Sequence, residues 1–321
     1  MIDVFIPSYH RADNLKTVRY LEKIGYDMQK VYVFIDDEAD DREAYKEATA
    51  RYGCHLVVFD MTEARKRYDY VHRASVSRRS AGQARNMFQD FAKKVGIRFY
   101  LVMDDDTNDF QFRVKGIWCK NAEGQTVIRG FERVQEFMER HHIGLFGRSQ
   151  TGDYYGGSIV LNIWLRKVMN TTFYDTRFVY RGERGVQDDD TSMFTGMLND
   201  GLFTGTITDG IVLQQTQSAT AKGGLTDLYN ECKLYNKAMV TPLQFPSAIH
   251  AERQALNGNR LHHRIEYRYL APKLMKGKRS NIEWDTYPED WPFTNEPKRL
   301  WNMKGKGKGK GKRAKGNESN D

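Results

Sequence analysis

The sequence predicts an α/β protein built on a mixed sheet flanked by helices. Two patterns carry this prediction. Short apolar runs alternate with helical periodicity over residues 2 to 106, and several of those runs stop abruptly at polar or acidic residues. Strands are expected at Ile2 to Ile6, Val31 to Ile35, Leu56 to Phe59 and Phe99 to Met103. Asp40 or Asp41 can cap a helix that reaches Tyr52 and stops at Gly53. The clearest helix spans about Ala81 to Val95, where Ala84, Met87, Phe88, Phe91, Ala92 and Val95 recur at the spacing of one buried face; Gly96 closes it. Strands alternating with helices imply a parallel sheet with covered faces, whose ligands bind beyond the carboxyl ends of the strands. After residue 106 the pattern changes. Phe110, Phe112 and Val114 alternate, a helix is expected near Phe131 to Arg140, and an apolar run covers Ile159 to Trp164. A further helix, Ser192 to Asn199, stops at Gly201, and Gly210 to Leu213 reads as a strand. This half extends the first as mixed sheet.

At 321 residues the chain can bury a substantial core, and a hydrophobic content of 40% fits a globular protein. No apolar run approaches the ~20 residues that span a bilayer, so a soluble protein without a secretory signal is expected. Cys54, Cys119 and Cys232 are scattered and lack the spacing of zinc ligands or of a disulfide framework, which points to a reducing cytoplasm, the host's if the chain is phage-encoded. The net charge of +8 is uneven: residues 301 to 321 carry seven Lys or Arg against Glu318 and Asp321. This Lys-Gly tail has nothing apolar to bury and is expected to be disordered. It suits a phosphate backbone, though a merely solubilising tail has the same composition.

The residues that follow each strand are the informative ones. Pro7, Ser8, Tyr9, His10 and Arg11 follow the first, Asp36 and Asp37 the second, and Asp104, Asp105 and Asp106 the fourth. An isolated acidic triplet is as well explained by an exposed turn; three charged strand ends on one sheet edge favour a ligand site. Hard divalent ions take oxygen ligands, and Mg²⁺ is commonly shared between carboxylates and a substrate's phosphates. If strand alternation persists, Asp104 and Asp106 point together and Asp105 points elsewhere. A second cluster, Asp188, Asp189 and Asp190, precedes a helix, where capping and the helix dipole account for one or two carboxylates but not three. Lys222, Gly223 and Gly224 lead into a helix expected from Thr226, where backbone N–H groups can approach an oxyanion or phosphate; an ordinary flexible loop fits equally.

Taken in order, Phe5-Ile6-Pro7-Ser8-Tyr9-His10-Arg11, Ile35-Asp36-Asp37, Ala84-Arg85-Asn86 and Met103-Asp104-Asp105-Asp106 resemble the successive signatures of a GT-A glycosyltransferase. The resemblance implies a Rossmann-like GT-A sheet and a nucleotide-sugar donor, a UDP-sugar by family prior, held with Mn²⁺ or Mg²⁺. It implies that Pro7, Ser8 and Arg11 border the nucleotide, that Asp36 or Asp37 meets the base or ribose, and that Arg85 lies near the diphosphate or donor sugar. Asp104 and Asp106 match the metal-binding DxD motif, with Asp105 between them beside the donor. Asp188 matches the catalytic base of inverting members, followed in preference by Asp189 and Asp190. Gln214-Gln215 stands where many relatives carry a metal-binding His; His250, His262 and His263 are remote substitutes. A retaining enzyme, which needs no such base, stays compatible with the sequence.

More narrowly, the chain resembles the phage TET-associated glycosyltransferases, which implies transfer of a hexose or pentose to 5-hydroxymethylpyrimidines in DNA. The implied organisation is a nucleotide-sugar half (1–110), an acceptor and catalytic half of the same domain (111–240), a C-terminal extension with possible DNA contact (241–301) and a basic tail (302–321). Tyr267, Tyr269, Trp284, Tyr287, Trp291 and Trp301, interleaved with Lys273, Lys276, Lys278 and Arg279, suit a nucleic-acid surface, or simply pack onto the core. Rival readings are a transferase acting on protein or polysaccharide, another metal-dependent phosphoryl enzyme, and an inactive DNA-binding accessory protein. The Pro-Ser-Tyr-His-Arg and Ala-Arg-Asn segments favour the transferase over a nuclease or nucleotidyltransferase.

Overall fold

The computed structural model describes residues 1–66, 81–114, 117–119, 123–150, 168–178, 188–202, 204–214, 237–254 and 260–270. The chain opens with β1 (Asp3–Pro7), α1 (Lys16–Lys23), β2 (Val31–Asp36), α2 (Arg42–Tyr52) and β3 (His55–Phe59), followed by α3 (Met61–Lys66), α4 (Ala81–Val95) and β4 (Phe99–Met103). Then come β5 (Asp109–Val114), β6 (Ile117–Cys119), α5 (Gly124–His141), β7 (Leu145–Gln150), β8 (Thr171–Asp175), α6 (Asp189–Asn199), β9 (Thr204–Gln214) and a hairpin of β10 (Ile249–Gln254) and β11 (Arg260–Ile265).

The four expected strands are β1 to β4, and the three expected glycine stops are real: Gly53, Gly96 and Gly201 all take left-handed backbone, φ +66, +77 and +79. β1 to β9 form one mixed sheet in the order β3-β2-β1-β4-β8-β7-β9-β5-β6. β1 pairs in parallel with β2 and β4, and β8 runs antiparallel to both β4 and β7. The carboxyl ends of β1, β2, β4, β7 and β9 therefore share one edge. This is the α/β mixed sheet expected of a GT-A architecture.

Strand alternation divides the core between the two faces. On one face Val4, Ile6, Val33, Leu101, Met103, Phe146 and Phe173 pack under α1, α2 and α5. On the other, Phe5, Phe34, Tyr100, Val102, Leu145 and Tyr174 pack under α4 and α6, together with Ile249 of the hairpin. α5 starts seven residues before the helix expected at Phe131. Its apolar face, Val127, Ile128, Phe131, Val134 and Met138, is continuous, but Gly124 disguises the start. That glycine is required, since a Cβ there would lie 2.4 Å from the Ile24 carbonyl oxygen. The expectations at Ile159 to Trp164, Thr226 onward, Trp284, Tyr287, Trp291, Trp301, Lys273, Lys276, Lys278, Arg279 and the tail lie outside the described residues.

One buried charge stands apart from the site. Arg148 on β7 is 2% exposed, its guanidinium carbon 5.6, 5.1 and 5.2 Å from the ring centres of Phe110, Phe131 and Phe173. Its three side-chain nitrogens make no hydrogen bond to any described residue. Burial pulls its pKa down to about 9, with Tyr20 opposing, so it stays charged at neutral pH. Cation–π contact recovers part of the desolvation cost, but an unpaired buried charge is a poor stabiliser, and apolar replacements of buried ions are often neutral or favourable. Arg148→Met is therefore expected to hold or raise the thermal unfolding midpoint. A fall of several degrees would show that the aromatic cage stabilises the cation fully.

Candidate active site

The functional edge is assembled from β1, β2, β4, α4 and α6. β4 stops at Met103, and Asp104 to Asp106 lie in the turn that follows, so their side chains are not bound by strand alternation. Asp105 turns back toward the loop after β1. It accepts a hydrogen bond from Ser8 Oγ at 2.6 Å and another from the Arg11 guanidinium. Ser8 Oγ also lies 2.8 Å from the Tyr45 hydroxyl, which accepts the Arg11 backbone N–H at 3.0 Å. Asp106 is 3.7 Å from Arg11 Nη1. The Asp104 carbonyl is fixed by the Thr17 hydroxyl, and the Asp105 carbonyl accepts Thr17 N–H at 3.2 Å. α1 and α2 thus hold the acidic turn through Thr17 and Tyr45, two residues with no signature in the sequence.

Asp36, at the end of β2, is buried and accepts Glu38 N–H at 3.1 Å, whereas Asp37 is exposed and caps α3 by accepting Met61 N–H at 2.8 Å. His10 sits 3.4 Å from Asp40 and 3.6 Å from Asp41. Among the described residues these three form the sole group of at least three His, Cys, Asp or Glu with metal-ligand spacing, and it is largely solvent-exposed. Pro7 closes β1. Lys222, Gly223 and Gly224 lie outside the described residues.

α4 presents Ala84, Phe88 and Ala92 to the core, and Arg85, its fifth residue, projects into the site. There it joins two acidic groups that are far apart in sequence. Arg85 Nη2 donates to Asp104 Oδ1 at 2.6 Å, and Nη1 donates to Asp189 Oδ2 at 2.5 Å. The three aspartates at the start of α6 accordingly have different tasks. Asp188 is the N-cap, in left-handed backbone with φ +61, and is buried against His263, whose Nδ1–H donates to Asp188 Oδ2 at 2.6 Å. Thr241 and Thr191 add hydroxyl donors to the same carboxylate, each at 3.2 Å. Asp189 turns the other way, to Arg85, while Asp190 accepts the Thr191 N–H at 2.8 Å. Three donors thus converge on Asp188, whereas Asp189 is held by Arg85 beside the end of β4. His250 is exposed near Glu252, and His262 Nδ1–H donates to the His263 carbonyl, 2.7 Å away.

Burial pushes Asp104 up to about 7; Arg85 opposes this, and the neighbouring Asp106, Asp105 and Asp189 reinforce it. Burial also raises Asp105, against the pull of Arg11 and Ser8. A carboxyl whose folded pKa lies above its unfolded value contributes stability that is complete below the unfolded value, and loses it as pH rises through the folded one. For Asp104 that loss runs from about pH 4 to just above 7. In EDTA-treated protein, Asp104→Asn is expected to melt above the parent at about pH 8, with the gap closing toward pH 4. Thermal melts across that range check it.

The hairpin buries Ile249 and packs Ile265 against the apolar cluster that contains α6, so this part of the C-terminal segment belongs to the core. Arg264 on β11 and, just after the hairpin, Arg268 and Tyr269 are exposed; Arg264 pairs with Glu252 and Glu266, and Arg268 lies 3.7 Å from Glu266 and 4.7 Å from the Tyr269 ring centre. Among the described residues no helix is long and apolar enough to cross a membrane. A groove of about 490 Å³ lined by Met1, Asp3, Lys30, Arg98 and Glu139 lies at the opposite edge of the sheet and shares no residue with the site.

The family model described as TET-Associated Glycosyltransferase matches residues 2–224. Among curated proteins no sequence matches. Solved structures similar to this chain include glucosyl-3-phosphoglycerate synthase from Mycobacterium tuberculosis with Mg²⁺ and uridine diphosphate, at 11% identity and TM-score 0.45, covering 83% of this chain and 86% of that one. The same synthase with Mn²⁺, UDP-glucose and phosphoglyceric acid gives 12% identity and TM-score 0.43 over the same shares. The mannosyltransferase PcManGT from Pyrobaculum calidifontis with GDP-mannose and Mn²⁺ gives 14% identity and TM-score 0.44, covering 76% of this chain and 62% of that one.

Proposed function

The chain belongs to the TET-associated glycosyltransferase family, and we propose that this glycosyltransferase moves a sugar from a nucleotide-sugar, a UDP-sugar by family prior, to the hydroxyl of 5-hydroxymethylcytosine or a related hydroxymethylpyrimidine in DNA. The observation that carries the chemistry is the bridge Asp104–Arg85–Asp189, which sets a carboxylate of α6 beside the acidic end of β4. A donor diphosphate needs cations there, and an acceptor hydroxyl needs a base.

The oxygen-only donor set fits a hard divalent cation, and burial, with the neighbouring Asp106, Asp105 and Asp189 adding to it against Arg85, raises Asp104 in the same place, so a bound cation would favour its ionised form. Asp104 and Asp106 would hold Mn²⁺ or Mg²⁺, with diphosphate oxygens and water completing the shell. When bound, the ion neutralises charge that develops on the departing diphosphate, a contribution of several kcal/mol. Ser8, Arg11, Asp105 and Pro7 border the nucleotide, and Asp36 or Asp37 meets its base or ribose. Lys222, Gly223 and Gly224 are kept as donor-side residues on the sequence argument alone.

Asp189 accepts the proton of the acceptor hydroxyl as that oxygen bonds to the anomeric carbon and the bond from this carbon to the diphosphate oxygen breaks. Asp190, half-buried and bonded to Thr191, is the reserve. The acceptor hydroxyl lies on the C5 substituent in the major groove, so the enzyme either reaches into the groove or extrudes the base at a cost of a few kcal/mol. Arg264, Arg268 and Tyr269 supply basic and aromatic groups for such a contact, and the C-terminal extension and basic tail add to it by composition.

The test is to incubate the protein with Mn²⁺, a pool of nucleotide sugars, and DNA with or without 5-hydroxymethylcytosine, then to digest and weigh the nucleosides. A hexose or pentose increment confined to the hydroxymethylated nucleoside is the expected result. A preparation that binds or hydrolyses a sugar nucleotide yet leaves every hydroxymethylpyrimidine unmodified would move the acceptor to protein or polysaccharide.

A further inference from the structure

We infer that His263 is a positioning residue for transfer: from the C-terminal hairpin it holds Asp188, and through Asp188 the first turn of α6, so that Asp189 faces Arg85 and the end of β4. The inference rests on Asp189 being the base. His263 lies beyond residue 224, where the family match ends, so the site draws on a segment outside that match.

The imidazole braces the helix start at two points. Its Nδ1–H donates to Asp188, and its Nε2 lies 3.4 Å from the Thr191 hydroxyl, three residues further along. Ring and carboxylate are both almost fully buried, with side-chain exposures of 5% and 1%, so no water competes for the pair. The Asp188 carbonyl meanwhile accepts the Ser192 N–H at 3.0 Å, the first bond of the helix. Holding the Asp188 side chain therefore fixes where the helix begins. The left-handed backbone at Asp188 makes consecutive carboxylates diverge, Asp188 into the hairpin interface and Asp189 to Arg85.

The brace is itself anchored. His263 pairs with Ala251 across β10 and β11, and its neighbour Ile265 packs into the apolar cluster that holds Met193, Phe194, Met197 and Leu198 of α6. Hairpin and helix share one apolar cluster, and Asp188, which His263 holds, is directly followed by Asp189. Because base and acceptor must meet within hydrogen-bond reach, displacement by about 1 Å is enough to cost ~10²-fold in rate.

The experiment compares full-length His263→Ala, His263→Asn and Asp189→Asn in steady-state transfer from UDP-glucose to 5-hydroxymethylcytosine DNA, with Mn²⁺ affinity measured separately by electron paramagnetic resonance. In His263→Ala, kcat is expected to fall by about 10²-fold with donor KM and Mn²⁺ affinity unchanged. His263→Asn, whose amide N–H can replace Nδ1–H, restores most of it. Full kcat in His263→Ala, or equal losses in both His263 variants, overturns the inference. Weakened Mn²⁺ binding would make His263 a metal ligand and overturn it as well. If His263→Ala does not fold, His263→Gln, whose amide reaches the Nε2 position rather than that of Nδ1, takes its place: a kcat loss at constant KM supports the inference, and an unchanged kcat overturns it. Asp189→Asn separates inference from premise: activity in that variant removes the premise, whereas an inactive Asp189→Asn beside a fully active His263→Ala removes the positioning role alone.

Discussion

Asp189→Asn is expected to lower kcat by about 10²–10⁴-fold, the range that a positioned general base contributes, while donor and metal affinity stay near those of the parent. The amide keeps an oxygen for the Arg85 hydrogen bond but cannot take a proton, so the geometry persists and the chemistry does not. Asp188→Asn is the informative contrast. Its side chain sits among His263, Thr191 and Thr241, and an amide there places an N–H against donors, so the expected loss is chiefly in the unfolding midpoint. Steady-state rates and melts on both variants separate the cases. A fully active Asp189→Asn beside an inactive but folded Asp188→Asn would return the role to the residue that the motif alignment favours.

The double change Asp104→Asn with Asp106→Asn is expected to remove turnover altogether and to abolish the strengthening of UDP binding by Mn²⁺. Two ionised ligands become neutral amides while Arg11 and Arg85 remain, so nucleotide binding persists in a weaker, metal-independent form. DNA binding should persist, because Arg264 and Arg268 pair with Glu252 and Glu266 rather than with these carboxylates. Calorimetric titration of UDP with and without Mn²⁺ reads the first effect, and gel retardation of hydroxymethylated DNA the second. Persistent Mn²⁺ dependence would place the cation elsewhere, with the exposed His10, Asp40 and Asp41 group as the first alternative.

The first half of the fold was legible because each element obeys a local rule. Ile2 to Ile6 is apolar apart from Asp3, as suits a strand covered on both faces, and the face from Ala84 to Ala92 has helical spacing and is buried, whereas Val95, expected on the same face, is exposed. Gly53 and Gly96 sit where left-handed backbone ends a helix. The second half was harder to read. Gly124 hid the start of α5, because a glycine demanded by contact with Ile24 looks locally like a helix breaker. The acidic turn at Asp104 to Asp106 was evident, and so was Arg85. What each carboxylate does was not, because their directions are set in a turn rather than in a strand, and because Asp188 is claimed by His263 from 75 residues further along the chain. Thr17 and Tyr45 were invisible for a similar reason: their hydroxyls matter only once α1 and α2 are packed against the sheet.

The most direct test of the central claim, that Asp189 activates the acceptor for a single displacement at the end of β4, is the anomeric configuration of the transferred sugar. The modified nucleoside made from an α-linked sugar nucleotide would be isolated and its anomeric proton coupling read by NMR. Attack by the acceptor oxygen on the face opposite the diphosphate predicts a β-linked product. An α-linked product would contradict the account, since retention requires a route in which no carboxylate need deprotonate the acceptor from that face.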